Sequence, residues 1–123
     1  MISYSIYNIP EIEKIGVYAI RNARTNRYYV GSTVNIYNRF LLHSRDIRKA
    51  GGINRKMQED CETNEEFEFL ILETFEDGTI TIEQLRKIER AFMIKYNAID
   101  TGYNTNLPFN NGSIPPNTVL KSR

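Results

Sequence analysis

Two short β-rich runs separated by a polar turn do most to restrict the folds open to this chain. Residues 15–21, Ile-Gly-Val-Tyr-Ala-Ile-Arg, and residues 27–31, Arg-Tyr-Tyr-Val-Gly, flank the turn Asn22-Ala23-Arg24-Thr25-Asn26. Branched and aromatic residues bounded by such a turn predict an antiparallel hairpin. From Asn35 to Ala50 the apolar Ile36, Phe40, Leu41 and Ile47 recur near helical spacing, until Gly51-Gly52 stops the helix. A shorter helix is predicted over Asn54 to Cys61. Phe67 to Thr74, half alternating and half continuously apolar, reads as a third strand, central in the sheet. After the turn Glu76-Asp77-Gly78, Thr81 and Gln84 have capping-box spacing, and Ile82, Leu85, Ile88, Phe92 and Tyr96 mark the buried stripe of a third helix ending near Asn97. The expected class is α/β in the α+β sense, a small three-stranded antiparallel sheet flanked by about three helices, in one domain over residues 1–104. A length of 123 residues suits one domain and not two. Residues 105–123, rich in Asn, Pro, Gly and Ser and carrying Pro108, Pro115 and Pro116, are expected to form an irregular tail or linker.

Hydrophobic residues at 41% and charged residues at 25% exclude disorder and fibrous repeats for the bulk of the chain. The longest apolar stretches, such as Phe69-Leu70-Ile71-Leu72, are far too short to span a bilayer. The N-terminal residues lack a basic and then continuously apolar leader, so a cytoplasmic location is expected. A single cysteine, Cys61, cannot form an internal disulfide or a thiolate metal site; it reads as a packing residue, with a reactive thiol as the alternative. One histidine excludes a zinc cluster, no Gly-rich phosphate loop is present, and nothing picks out a hydrolytic partner for His43.

A net charge of +1 conceals a polarised chain. Residues 21–56 carry nine Lys or Arg (Arg21, Arg24, Arg27, Arg39, Arg45, Arg48, Lys49, Arg55 and Lys56) against the one acid Asp46, whereas residues 57–104 carry twelve acids against four bases. A basic segment of that density is a plausible polyanion footprint, and equally a solvated helix face.

Certain side chains are placed to act together. Tyr18 and Tyr29 lie on adjacent strands, where cross-strand pairing can present both phenols from one face to hold a water or a phosphate oxygen. Arg39 and His43 are four apart on the first helix and project to one spot, with a guanidinium suited to two phosphate oxygens at once. Glu89 falls beside the apolar stripe of the third helix, so it needs a partner, either an arginine or a magnesium ion completed by waters and a substrate phosphate.

The ordered series Gly16-Val17-Tyr18, Tyr29-Val30-Gly31, Arg39, His43, Glu89 and Gly102-Tyr103-Asn104 resembles the GIY-YIG nuclease domain, most closely the catalytic domains of phage and intron homing endonucleases. The likeness runs over roughly residues 14 to 104, with valines replacing the two isoleucines of the family name. It implies the GIY-YIG fold and metal-dependent hydrolysis of a DNA phosphodiester bond, with Mg2+ as cofactor and Mn2+ as a substitute. It further implies that Tyr18 helps deprotonate the attacking water and Arg39 neutralises the transition state. Glu89 would hold one divalent ion near the leaving 3′ oxygen, while Tyr29 and His43 position water and phosphate. Gly16, Gly31 and Asn104 would shape the site, Asn104 by bonding backbone near the hairpin. An unperturbed phenol titrates near about 10, so Tyr18 can serve as a base only if cations depress it. Arg27, Arg45, Arg48, Lys56 and Asn54 are the candidate DNA contacts. Related enzymes often carry a polar or basic residue just after the first helix, where this chain reads Gly51-Gly52-Ile53-Asn54; either Asn54 supplies that contact or it is missing. The expected partner is double-stranded DNA, with no membrane and no small-molecule cofactor, bound by a monomer or a transient dimer. The alternative is a catalytically weak DNA-binding or regulatory module on the same fold.

Overall fold

The hairpin forms, but as one half of a larger sheet. In the structure, a computed structural model describing residues 2–106 and 114–123, strands β1 (Ser3–Ser5), β2 (Ile15–Asn22), β3 (Arg27–Thr33) and β4 (Phe67–Phe75) make a four-stranded antiparallel sheet in the order β1-β4-β2-β3. The expected count of three strands is corrected by β1. It is only three residues long and mostly exposed, so it carries no alternating pattern to read, and it becomes a strand by pairing Ser3 with Leu70 and Ser5 with Glu68. β4 lies inside the sheet, as its apolar run predicts, between β1 and β2.

Helices α1 (Ile36–Ala50) and α2 (Arg55–Asp60) cover one face of the sheet and α3 (Ile82–Lys95) the other. Tyr18, Ile20 and Phe69 pack with Ile36, Phe40 and Ile47 of α1 and Met57 of α2, the rings of Phe40 and Phe69 stacked with centroids 4.4 Å apart. On the opposite face Ile15, Val17, Ala19, Val30 and Leu70 meet Leu85 and Met93 of α3. Burial on both faces explains why β2 lacks polar alternation. Each fully buried aliphatic side chain contributes roughly 1.5–3 kcal/mol, more than a helix cap at about 1 kcal/mol, so packing fixes where the helices lie and the caps fix where they begin. Asn35 caps α1 by accepting from the Asn38 amide at 3.0 Å, Thr81 and Gln84 form the expected capping box on α3, and Gly51, at φ 79°, ends α1 in a left-handed turn.

The segregated charges of the sequence meet in space. Arg21 pairs with Glu68 at 2.6 Å, Arg24 with Glu66 at 3.1 Å and Glu62 at 3.4 Å, Arg27 with Asp60 at 3.3 Å and Arg55 with Glu59 at 2.8 Å. Arg24 and Arg27 thereby tie the hairpin to the 3₁₀ turn Asn64–Glu66 and to α2, and Arg21 ties it to β4.

Pro108 lies outside the described residues. Residues 114–123 run back along the start of α3, where Ile82 N donates to Thr118 O at 2.9 Å, Glu83 N to Pro116 O at 3.2 Å and Leu120 N to Ile80 O at 2.9 Å. Two amides that a helix start leaves unpaired are thereby satisfied. Among the described residues no helix is long and apolar enough to cross a membrane.

Candidate active site

Tyr18 and Tyr29 point to the face of the sheet that α1 covers. Tyr18 is opposite Gly31, so Tyr29, two residues earlier on β3, is its diagonal neighbour, with ring centroids 6.5 Å apart. Gly31 is required by this arrangement, because a Cβ there would collide with the Tyr18 hydroxyl and lie 2.6 Å from the ring carbon that bears it. The phenol lies across the backbone of its partner strand. Gly16 meets a similar limit at the start of β2, where a Cβ would approach Glu73 O to 2.7 Å.

α1 brings His43 to this pair. Its Nε2 lies 2.7 Å from the Tyr18 hydroxyl in a buried hydrogen bond, with the tautomer deciding which group donates. Burial and the nearby Arg39 guanidinium push the imidazole down to about 4, so it is neutral at physiological pH. Burial and Tyr29 hold the Tyr18 phenol well above its usual range, and Arg39 lowers it too little to compensate. Arg39 alone therefore does not turn Tyr18, which is 1% exposed, into a ready phenolate. Tyr29 is also raised, first by burial and then by the charge of Glu89. Arg39 is exposed beside this group and forms no ion pair among the described residues.

Glu89 reaches the site from α3. It is 7% exposed, and its Oε1 accepts hydrogen bonds from the Ser32 hydroxyl and from Arg86 Nη1, the latter at 3.1 Å. The same Nη1 donates to Ser32 Oγ at 3.0 Å, closing a three-residue ring. Sequence reasoning had set arginine and metal as alternative partners of this carboxylate, and the arginine is present. Neither Ser32 nor Arg86 was singled out from the sequence. Arg86 could have been, since i,i+3 spacing puts it on Glu89's face of α3; Ser32 points away from the tyrosines by strand alternation and gave no signal. The two groups thus flank β3, the edge strand, and the charge of Glu89 still reaches both phenols.

Asn104 closes the site from behind. Its Oδ1 accepts from Val30 N at 2.8 Å and its Nδ2 donates to Val30 O at 2.9 Å. The candidate DNA contacts divide into two sets. Arg45 and Arg48 are exposed on α1 with Arg39, Arg45 lying 3.7 Å from Asp46 and Arg48 donating to Ser44 O at 3.3 Å. The others are engaged within the fold. Arg27 pairs with Asp60, Lys56 Nζ donates to the carbonyls of Ile99 at 3.1 Å and Asn104 at 2.7 Å, and Asn54 caps α2 while donating to Tyr103 O at 2.8 Å. Burial raises the Cys61 thiol, which disfavours the reactive thiolate.

Among the described residues no three His, Cys, Asp or Glu side chains cluster. A metal here would have Glu89 as its charged protein ligand. That donor is a hard oxygen in a position that already stabilises a cation, the Arg86 guanidinium, and it suits an ion such as Mg2+ that keeps its waters and takes further oxygens from a phosphate.

Residues 14–104 match the sequence profile of the GIY-YIG catalytic domain. Two solved structures are similar, a single-substitution mutant of the catalytic domain of intron endonuclease I-TevI and the catalytic domain of homing endonuclease I-TevI. Both are 26% identical with a TM-score of 0.66; the first match covers 78% of this chain and 97% of that one, the second 76% and 99%. No curated protein sequence matches the chain.

Proposed function

The chain belongs to the GIY-YIG catalytic-domain family and is a nuclease, and from that footing we propose that it hydrolyses DNA phosphodiester bonds with one divalent ion held at Glu89. The buried Tyr18–His43 bond, with Arg39 open beside it, is the observation that carries this reading. Arg39 receives the scissile phosphate, its planar donors matching two oxygens and neutralising the charge that builds on them. An attacking water gives its proton to the Tyr18 oxygen as the Tyr18 proton passes to His43 Nε2. The phenol then never exists as a free phenolate, which burial would penalise. A phosphate anion arriving beside the imidazole raises its proton affinity, so His43 is a poor base in the empty site and a better one in the occupied site. Tyr29, half-buried beside Tyr18, orients the water. A divalent ion, when bound, stabilises charge on the leaving 3′ oxygen, and Glu89 with Ser32 would hold it.

The test is cleavage of supercoiled plasmid. Wild-type protein with Mg2+ should yield nicked or linear DNA, and chelation should stop it. Glu89→Gln keeps an oxygen for Ser32 and Arg86 but loses the charge a hard cation needs; it should melt near the wild-type temperature, bind DNA at least as well, and not cleave. Wild-type cleavage by that variant would place the metal elsewhere. Mg2+-independent DNA binding without cleavage by the wild-type protein would favour a DNA-binding module on this fold.

A further inference from the structure

Arg86 has no part in the chemistry above, yet it makes the closest charged contact to the carboxylate on which that chemistry depends. Its Nη1 stands 3.1 Å from Glu89 Oε1 and 3.0 Å from Ser32 Oγ, and Ser32 donates to the same Oε1. The Arg86 side chain is 37% exposed and the Glu89 side chain 9%, so one end of the pair is enclosed by the protein and the other borders solvent.

We propose that Arg86 is a displaceable counter-ion that occupies Glu89 in the metal-free protein and sets how strongly a divalent ion can bind there. A buried carboxylate without compensation is costly, and Arg86 supplies the compensation before any metal arrives. The same positive charge opposes an incoming dication, so metal binding must either displace the guanidinium or proceed against its repulsion. Displacement is feasible because Arg86 lies on the solvent side and can rehydrate. Ser32 then keeps its hydrogen bond to Oε1, so the carboxylate holds its orientation as its partner changes. DNA phosphate is the natural receiver of the released guanidinium, since it offers the paired oxygens that Glu89 gives up. Ion entry is thereby favoured when substrate is present and disfavoured when it is absent.

This inference rests on Glu89 being the metal ligand, and the experiment separates the two claims. Mn2+ binding to the DNA-free protein is measured by titration calorimetry for wild type, Arg86→Gln, Arg86→Lys, Glu89→Gln and the double variant Arg86→Gln/Glu89→Gln, each checked by thermal melting. Arg86→Gln should bind Mn2+ at least threefold more tightly than wild type. Arg86→Lys, which keeps the charge, should stay near the wild-type affinity, and the double variant should lose the gain. Wild-type or weaker affinity in Arg86→Gln, with Mn2+ binding abolished in Glu89→Gln, overturns the counter-ion while leaving the metal assignment intact. Mn2+ affinity unchanged in all four variants overturns both.

Discussion

His43 is kept neutral by burial and by Arg39, and its stability contribution therefore has a definite sign with acidity. The folded value of about 4 lies below the unfolded value of about 6.5, so between them the unfolded chain binds more protons. Stability from this residue is complete above about pH 6.5 and is lost as pH falls toward 4, by up to about 3 kcal/mol. Urea midpoints measured from pH 7.5 down to pH 4.5 should fall more steeply for wild type than for His43→Gln, and parallel curves would show that the imidazole is hydrated. Arg39 gives the complementary case. It is exposed and unpaired among the described residues, so Arg39→Lys should leave the melting temperature in place. It loses the planar fork, and single-turnover cleavage should drop about tenfold or more. The proximity of these two side chains was legible from their i,i+4 spacing on a predicted helix. The direction of the Tyr18 shift was not, because it depends on burial beneath α1, which no local spacing encodes.

Asn104 acts on an entire element. Val30 lies on the edge strand, with its amide and carbonyl facing away from β2, and the Asn104 side chain bonds both as a neighbouring strand would. Asn104→Ala leaves two buried backbone groups without partners and should cost about 2 kcal/mol or more, seen as a lower urea midpoint. Asn104→Asp keeps the acceptor for Val30 N but turns a buried carboxylate oxygen toward Val30 O, and should lose at least as much. Element signals that act over a few residues were readable: the hairpin turn, the Gly51 stop, and the Thr81–Gln84 box. β1 was not, because three residues hold no periodicity and their partner strand begins more than sixty positions later. The return of residues 114–123 onto α3 was hidden for a similar reason, as prolines and polar residues carry no pattern and the bonds are backbone to backbone.

For the molecule as a whole, the positive charge left for DNA is smaller than the sequence suggests and is concentrated on α1. Arg21, Arg24, Arg27 and Arg55 are paired with acids at positions 59–68, whereas Arg39, Arg45 and Arg48 are exposed on α1, Arg45 beside Asp46. DNA affinity should therefore be modest and salt-dependent, and Arg45→Ala with Arg48→Ala should reduce the slope of log affinity against log salt by up to ~1 for each residue that touches phosphate. An unchanged slope would assign both to solvent. The internal pairing also has a consequence in time. A ribosome makes residues 21–56 before the acids that pair with them, so the growing chain is for a while a polycation beside ribosomal RNA, and it acquires its near-neutral surface only when β4 and the turn before it emerge and fold back against the hairpin.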